Sequence, residues 1–228
     1  MQAEKIKLIA FDLDGTLLNS VPDLTLGVDA AVQALGYPSI TEEQVSHWVG
    51  NGVEVLLSRA ISRNIEVKQN LDPQELQKGR DVFNQAYANS GHKLSHLYPT
   101  VEDSLQQLVK AGYKLALVTN KPSEFVPEIL EQQQIAHLFD DVIGGEDFPK
   151  RKPDPIALNW LLEKYGLSSD EMLMVGDSKN DIQAAKNAGC PSFALTYGYN
   201  HGEPISDSQP DIIADELAEI LTLLSVGK

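Results

Sequence analysis

The sequence contains little cysteine, few basic residues and no long apolar run. Its single cysteine, Cys190, excludes an internal disulfide and is typical of a protein in a reducing compartment. No apolar run approaches the roughly 18 residues of a membrane-spanning helix, and the first residues carry no apolar export signal. We therefore expect a cytoplasmic protein that does not associate with membranes.

Basic residues are outnumbered, since 18 Lys and Arg against 33 Asp and Glu give a formal net charge of −15. Such a surface repels nucleic-acid backbones and anionic lipids, so we expect neither as a partner. A phosphorylated ligand remains compatible with this charge if positive side chains gather locally at its site. Hydrophobic residues make up 42% of the 228 residues, which is enough for a folded core and unlike a disordered chain.

Short apolar segments alternate with amphipathic ones from residue 98 onward. Strands are predicted at 7–11, 113–118, 141–143, 172–175, 192–195 and 212–213, and helices at 100–110, 123–133, 155–165, 178–188 and 214–224. Thr100 and Asp103 predict a capping box at the start of the first of these helices. The alternation indicates the α/β class, with a doubly wound parallel sheet that carries helices on both faces.

Residues 19–94 interrupt this alternation. Helical patterns without strand signals cover 21–35, 42–48, 53–62 and 73–89. They predict an all-helical cap domain inserted after the first strand, while 1–18 and 95–228 form the core domain. Breaker residues near 18–22 and 90–99 mark the predicted hinges, so the cap would cover the crevice beyond the carboxyl ends of the strands.

Four polar clusters lie where predicted strands end or helices begin. They are 12–16 (DLDGT), 119–122 (TNKP), 152–155 (KPDP) and 176–181 (GDSKND). Because the carboxyl ends of parallel strands meet at one edge of the sheet, we expect Asp12, Asp14 and Asp177 to lie together. Crowded carboxylates repel each other unless a cation is present, and oxygen ligands without His or Cys select a hard cation such as Mg²⁺.

The second and third clusters supply groups that suit a phosphate. Thr119 and Asn120 offer a hydroxyl, an amide and nearby backbone N–H groups at a helix start. Lys152 offers a compact positive charge for the same phosphate and for a carboxylate nucleophile. Each cluster taken singly could be an ordinary turn or helix cap. Their order at successive strand ends favours a phosphate-processing enzyme.

Together the four clusters resemble the four motifs of the haloacid dehalogenase superfamily of phosphohydrolases, in order and spacing over essentially the whole chain. The helical insertion resembles the alpha-helical cap of that superfamily. Segments 48–52, 118–122, 176–186 and 195–200 are similar to its bacterial phosphoglycolate phosphatase subfamily. The resemblance implies a Mg²⁺-dependent phosphomonoesterase that converts 2-phosphoglycolate, a small phosphorylated acid, to glycolate and phosphate. It also implies salvage of a metabolic by-product, including phosphoglycolate left by DNA repair.

The resemblance also implies roles for individual residues. Asp12 corresponds to the nucleophile that forms an aspartyl-phosphate, and Asp14 to the general acid/base. The implied metal ligands are Asp12, Asp177 and the main-chain carbonyl of Asp14, with Asp181 as a second acidic residue that ligates or orients. The implied phosphate-binding residues are Thr119, Asn120 and Lys152.

The cap segment leaves two interpretations open. Gly50, Asn51 and Gly52 form either a plain turn before a helix or a loop whose N–H groups approach the substrate. Arg59 either pairs with a substrate carboxylate or forms a surface salt bridge. We expect a monomer or a weak homodimer.

Two other functions share parts of this pattern. A phosphosugar phosphatase or mutase of the same superfamily would use the same core and cap. A signalling receiver domain also uses an acidic Mg²⁺ site, a phosphorylated Asp, a Thr and a Lys. Receivers lack a helical insertion and place their acidic pair and phospho-acceptor on different strands, so the long insertion disfavours that function.

Overall fold

The fold combines one large parallel sheet with helices on both faces and a helical insertion. The structure, a computed structural model, describes residues 2–227. Its strands are β1 (Leu8–Phe11), β2 (Leu18–Asn19), β3 (His96–Leu97), β4 (Lys114–Val118), β5 (Asp141–Ile143), β6 (Met172–Gly176), β7 (Ser192–Leu195) and β8 (Ile212–Ala214). Its α-helices are α1 (Val21–Ala34), α2 (Glu42–Trp48), α3 (Val53–Ser62), α4 (Pro73–Ser90), α5 (Val101–Lys110), α6 (Val126–Gln132), α7 (Ile156–Tyr165), α8 (Lys179–Ala188) and α9 (Glu219–Leu223). Within the described range, none of these helices is both long enough and apolar enough to cross a bilayer.

The large sheet has six parallel strands in the order β5-β4-β1-β6-β7-β8. Leu8 and Ala10 of the central strand pack with α7 and α8, whereas Ile9 and Phe11 pack on the opposite face with α5. Burial of each Leu, Ile or Phe side chain contributes roughly 1.5–3 kcal/mol. The predicted fold class, a doubly wound parallel sheet with helices on both faces, is confirmed.

Three predicted details of the helices are wrong. The helix at 123–133 is divided into a 3₁₀ turn and α6, because Pro127 lacks an N–H and fits only the first helical turn. The helix at 214–224 shortens to α9, since Glu219 accepts the N–H groups of the two residues at 215–216 and holds them in a turn. The capping box at Thr100 does not form, because its φ of +67° is far from the extended backbone of a capping residue.

The insertion holds α1 to α4 between two short strands, β2 and β3. These strands pair antiparallel, with Leu18 opposite Leu97 and Asn19 opposite His96. Sequence patterns did not predict this pair, because two residues are too few to show a period. Within the insertion, α1 and α4 approach closely at Gly27, where any Cβ would press on the Phe83 ring.

Candidate active site

The four polar clusters lie at the carboxyl ends of neighbouring strands. Asp12 follows β1, Thr119 follows β4 and Asp177 follows β6, and β1 lies between the other two strands. Lys152 is in the loop that connects β5 to α7. The topology therefore brings all four segments to one edge of the sheet, beneath the helical insertion.

Three buried carboxylates form a tight cluster at this edge. Asp12, Asp177 and Asp181 each offer an oxygen, and these atoms lie within 4.8 Å of one another. The carboxylate of Asp14 is not in the cluster, because it pairs with Lys121 instead. The structure thus places the side chain of Asp181, rather than that of Asp14, beside the other two carboxylates.

Local hydrogen bonds fix two members of the cluster. Asp177 accepts from the Thr16 hydroxyl at 2.6 Å and from the Tyr199 N–H at 2.5 Å. Asp181 accepts from the N–H and hydroxyl of Ser178 at 3.0 and 2.7 Å, as part of the capping box that starts α8. The residue that caps α8 is therefore also a member of the acidic cluster.

Lys152 is the counter-charge inside the cluster. Its ammonium lies 2.8 Å from Asp12 and 2.6 Å from Asp181, and its side chain is 3% exposed. Burial raises the pKa of Asp12 to about 7, against the opposing effect of Lys152. Burial, then repulsion by Asp181 and Asp12, raises the pKa of Asp177 well above its ordinary value. Burial alone would lower the pKa of Lys152, but the two carboxylates keep it raised.

The cluster has the charge and the ligands of a hard-cation site. Three carboxylates face one ammonium, so the ionised groups carry an excess of negative charge. Bound metal would reverse the raised pKa values, because a divalent cation favours the ionised form of each ligand. All donors are oxygens, and this set fits Mg²⁺.

The cap segment 50–52 contacts the core through a carbonyl. The Gly50 oxygen accepts from the amides of Asn120 at 3.0 Å and Asn180 at 3.1 Å. Asn120 also donates to the carbonyl of Lys152 at 3.0 Å. The Asn120 amide thus connects the cap segment to the loop that carries the buried lysine.

Arg59 supports the cap backbone. It donates to the carbonyls of Trp48 at 2.6 Å and Ile65 at 3.1 Å. Within residues 2–227 it has no carboxylate partner within 4 Å, so the surface salt bridge does not form. Arg59 is also absent from the pocket lining, whereas Gly52 belongs to it. Asn51 is half-buried in the same loop.

A pocket lies between the insertion and the sheet edge. Its cavity volume is about 30 Å³, so the pocket is narrow with the insertion in this position. The core side contributes acidic and polar groups, and the insertion contributes mainly apolar ones. The lining residues used below are Asp12, Asp14, Thr119, Lys121, Leu24, Leu56, Tyr87, Gly52 and Phe125.

Comparison with known proteins assigns the family. The model of the family described as haloacid dehalogenase-like hydrolase matches residues 9–195, a range that includes all four polar clusters. The chain belongs to the haloacid dehalogenase-like hydrolase family. It is 63% identical to a phosphoglycolate phosphatase of Aliivibrio fischeri, over 99% of both chains. It is 59% identical to a phosphoglycolate phosphatase of Vibrio cholerae, over 98% of this chain and 99% of that protein.

One solved structure has the same arrangement of core sheet and helical insertion as this chain. A predicted phosphoglycolate phosphatase from Haemophilus somnus superimposes with a TM-score of 0.90 at 42% identity. The superposition covers 96% of this chain and 98% of that one. The helical insertion and the core sheet therefore share one overall arrangement in both proteins.

The sequence alone predicted no role for Lys121, although this residue lies in the second polar cluster, 119–122. Its ammonium is 2.9 and 3.2 Å from the two oxygens of Asp14 and 5.0 Å from the ring centroid of Tyr87. The backbone N–H of Lys121 donates to the Thr119 hydroxyl at 3.1 Å. The sequence did offer one signal for Lys121, which is its position two residues after Thr119, a predicted phosphate-binding residue.

Proposed function

We propose that this chain is a Mg²⁺-dependent phosphomonoesterase that hydrolyses 2-phosphoglycolate to glycolate and phosphate. The observation that carries the proposal is the position of Asp12, where a small pocket meets the buried acidic cluster. The names of full-length relatives at 63% and 59% identity support the choice of substrate. Lys152 and Lys121 place two ammonium groups at the site of this acidic chain, and bound Mg²⁺ would offset the remaining negative charge there, which makes a small anionic substrate compatible with the site.

Asp12 is the nucleophile of this proposal. Its Oδ1 is 2.8 Å from the Lys152 ammonium, while its Oδ2 has no hydrogen-bond partner among residues 2–227. Attack of Oδ2 on phosphorus forms an aspartyl-phosphate and breaks the bond to the glycolate oxygen. A covalent intermediate divides the difficult hydrolysis into two easier substitutions.

Asp14 is the general acid and base. It lies two residues after the nucleophile and lines the same pocket. It donates a proton to the leaving glycolate oxygen in the first step and accepts one from the attacking water in the second. The contact with Lys121 keeps its carboxylate at the pocket wall.

Thr119 and Lys152 bind the phosphoryl group in this proposal. The hydroxyl of Thr119 and the ammonium of Lys152 offer donors to the equatorial phosphoryl oxygens, where negative charge spreads in the transition state. The side-chain amide of Asn120 donates to the backbone carbonyl of Lys152 and thereby positions Lys152. Asp12, Asp177 and the Asp14 carbonyl would hold Mg²⁺, with Asp181 orienting, and the ion would supply positive charge to neutralise the phosphate dianion.

The proposal includes the division of the chain into a cap, 19–94, and a core, 1–18 with 95–228. The paired strands β2 and β3 support boundaries near these residues. It also includes a cytoplasmic location, no nucleic-acid or membrane partner, and a monomer or weak homodimer. The acidic composition and the single cysteine support the location and the absence of such partners.

A phosphate-release screen tests the function. With Mg²⁺ present, kcat/KM for 2-phosphoglycolate should exceed that for phosphosugars and other small phosphate esters by at least about tenfold, because the narrow pocket leaves little room for a larger substrate. A chelator should remove the activity, and added Mg²⁺ should restore it. Preference for a phosphosugar, or a product burst without net phosphate release, would instead support a phosphatase or mutase acting on sugars.

The cap loop is expected to contribute to substrate selection, and two glycines provide a matched test. Gly52 and Gly36 both have φ of +85°, so an alanine at either position costs roughly 1–2 kcal/mol of backbone strain. A Cβ at Gly52 would also collide with the Arg151 guanidinium, whereas Gly36 has open space. Gly52→Ala should lower kcat/KM for phosphoglycolate roughly tenfold relative to an aryl phosphate.

The control for this prediction is Gly36→Ala. It should lower the melting temperature by a similar amount and leave the ratio of the two kcat/KM values unchanged. The same ratio in Gly52→Ala, parent and control would show that the loop does not select the substrate.

A further inference from the structure

The pocket has a marked asymmetry of charge on its walls. Among the described residues that line it, Lys121 alone carries a positively charged side chain. Nearby cations are engaged elsewhere, since Arg59 binds the carbonyls of Trp48 and Ile65, and Arg151 binds the carbonyl of Gly145 at 2.7 Å. Any second anionic group of a ligand in this pocket therefore has one cationic side chain to contact.

Lys121 is held in a setting that strengthens such a contact. Its side chain is 2% exposed, and apolar side chains of Leu24, Leu56 and Phe125 line the same pocket. Charge pairs interact more strongly where water is excluded. Burial alone would lower the pKa of Lys121, but Asp14 raises it above its ordinary value, so the ammonium stays charged.

The ammonium also has capacity for a second partner. A lysine ammonium carries three N–H donors. Asp14 is its single carboxylate partner within residues 2–227, and the Tyr87 ring covers another side. A ligand carboxylate can therefore share the ammonium with Asp14 by taking the place of one of the two Asp14 oxygens, which lie 2.9 and 3.2 Å away.

Thr119 and Lys121 both line the pocket and are close neighbours in the chain. Thr119 binds the phosphoryl group in the proposed function, and Lys121 follows two residues later in the same segment. Their Cα atoms are therefore at most about 7 Å apart, and both residues line the same narrow pocket of about 30 Å³. A ligand that contacts both side chains there is small, as a short phosphorylated acid is.

We propose that Lys121 binds the carboxylate of the substrate and thereby selects phosphorylated acids over neutral phosphate esters. This inference rests on the proposed phosphatase function and names the residue that determines its substrate class. A role limited to holding Asp14 would impair acids and neutral esters together, whereas carboxylate binding affects only acids.

The test compares two substrates that differ in one group. Ethyl phosphate has a methyl group where phosphoglycolate has its carboxylate. Lys121→Met should lower the ratio of kcat/KM for phosphoglycolate to that for ethyl phosphate by roughly 10- to 100-fold, the usual worth of a hydrogen bond to a charged group. A weaker general acid at Asp14 would slow ethyl phosphate, which has the poorer leaving group, at least as much as phosphoglycolate, so it would not lower this ratio. The exposed Lys110→Met serves as the matched control and should leave the ratio unchanged.

A binding measurement complements the kinetics. 3-Phosphonopropionate and propylphosphonate are non-hydrolysable counterparts of the two substrates. Calorimetry with Mg²⁺ should show tighter binding of the acid to the parent and nearly equal binding of both to folded Lys121→Met. Lys121→Arg keeps the charge and should retain part of the preference, which provides a second variant if the methionine form does not fold.

The outcomes separate the two proposals. A parent enzyme that prefers phosphoglycolate, together with a folded Lys121→Met that keeps this preference, would overturn the role of Lys121 alone. Equal binding of the two phosphonates by the parent would overturn any carboxylate site in this pocket. A parent without activity on phosphoglycolate would contradict the proposed function itself.

Discussion

Asp12→Asn should lower kcat for phosphoglycolate by roughly 10⁴-fold or more, the scale of loss seen when a catalytic nucleophile is removed. The asparagine keeps the size of the side chain, but an amide does not attack phosphorus. Asp12 is also the carboxylate where the acidic cluster and the pocket meet. No neighbouring group can replace it, since Asp177 and Asp181 are held by Thr16 and Ser178.

The measurement is steady-state phosphate release with saturating Mg²⁺, accompanied by circular dichroism to verify folding. Asp12→Ala guards against reversion of the asparagine by deamidation. Asp207→Asn, at an exposed position, is the matched control and should retain parental kcat. A folded Asp12→Asn protein with more than about 1% of parental kcat would rule out the covalent role.

Lys152→Met should lower kcat by roughly 10³-fold. The ammonium contacts both Asp12 and Asp181, so its loss leaves three buried carboxylates without their protein counter-charge. Approach of a phosphate dianion to Asp12 then becomes unfavourable. Lys152→Arg should not restore kcat, because a planar guanidinium does not fit the site of a compact ammonium.

The same variant should lose stability in the metal-free protein, by roughly 3–5 kcal/mol at neutral pH. The loss should depend on pH. Asp12 already has a raised pKa of about 7, and Lys152 is the group that opposes this rise. Without Lys152 the pKa of Asp12 rises further, so the folded state holds a proton that the unfolded chain releases above about pH 4. This cost grows as pH rises, and the deficit against the parent should shrink from pH 7.5 to pH 5.

Urea titrations of both proteins in the presence of chelator measure this deficit. Lys150→Met removes a neighbouring exposed lysine and should change neither kcat nor stability by much. Parental kcat in folded Lys152→Met would exclude Lys152 from the chemistry. A deficit that is equal at the two pH values would show that Asp12 does not titrate as described.

The core of the fold was predictable because its signals are local. Continuous apolar segments such as 7–11 and 172–175 end at polar clusters, and a parallel sheet brings those ends together without further information. The positions of Asp12, Thr119 and Asp177 follow from that rule. Glycines after helices, such as Gly166 and Gly189, mark the ends that the structure confirms with left-handed backbone.

Contacts across long sequence separations were not predictable in the same way. The pairing of Lys121 with Asp14 joins two segments, and no local pattern encodes which carboxylate the lysine meets. The contact of the Gly50 carbonyl with Asn120 depends on how the cap rests on the core. Side-chain partners of this kind are determined by tertiary packing, which a single sequence does not display.

The antiparallel pair β2–β3 brings the two ends of the cap side by side. Asn19 and His96 stand opposite each other in register, so a two-residue turn could join them directly as an ordinary hairpin. Both junctions would keep their spacing whether the segment between them is long, short or exchanged for another. Exchange of the segment between Asn19 and His96 would therefore change the cap while it leaves the strand connections of the sheet in place.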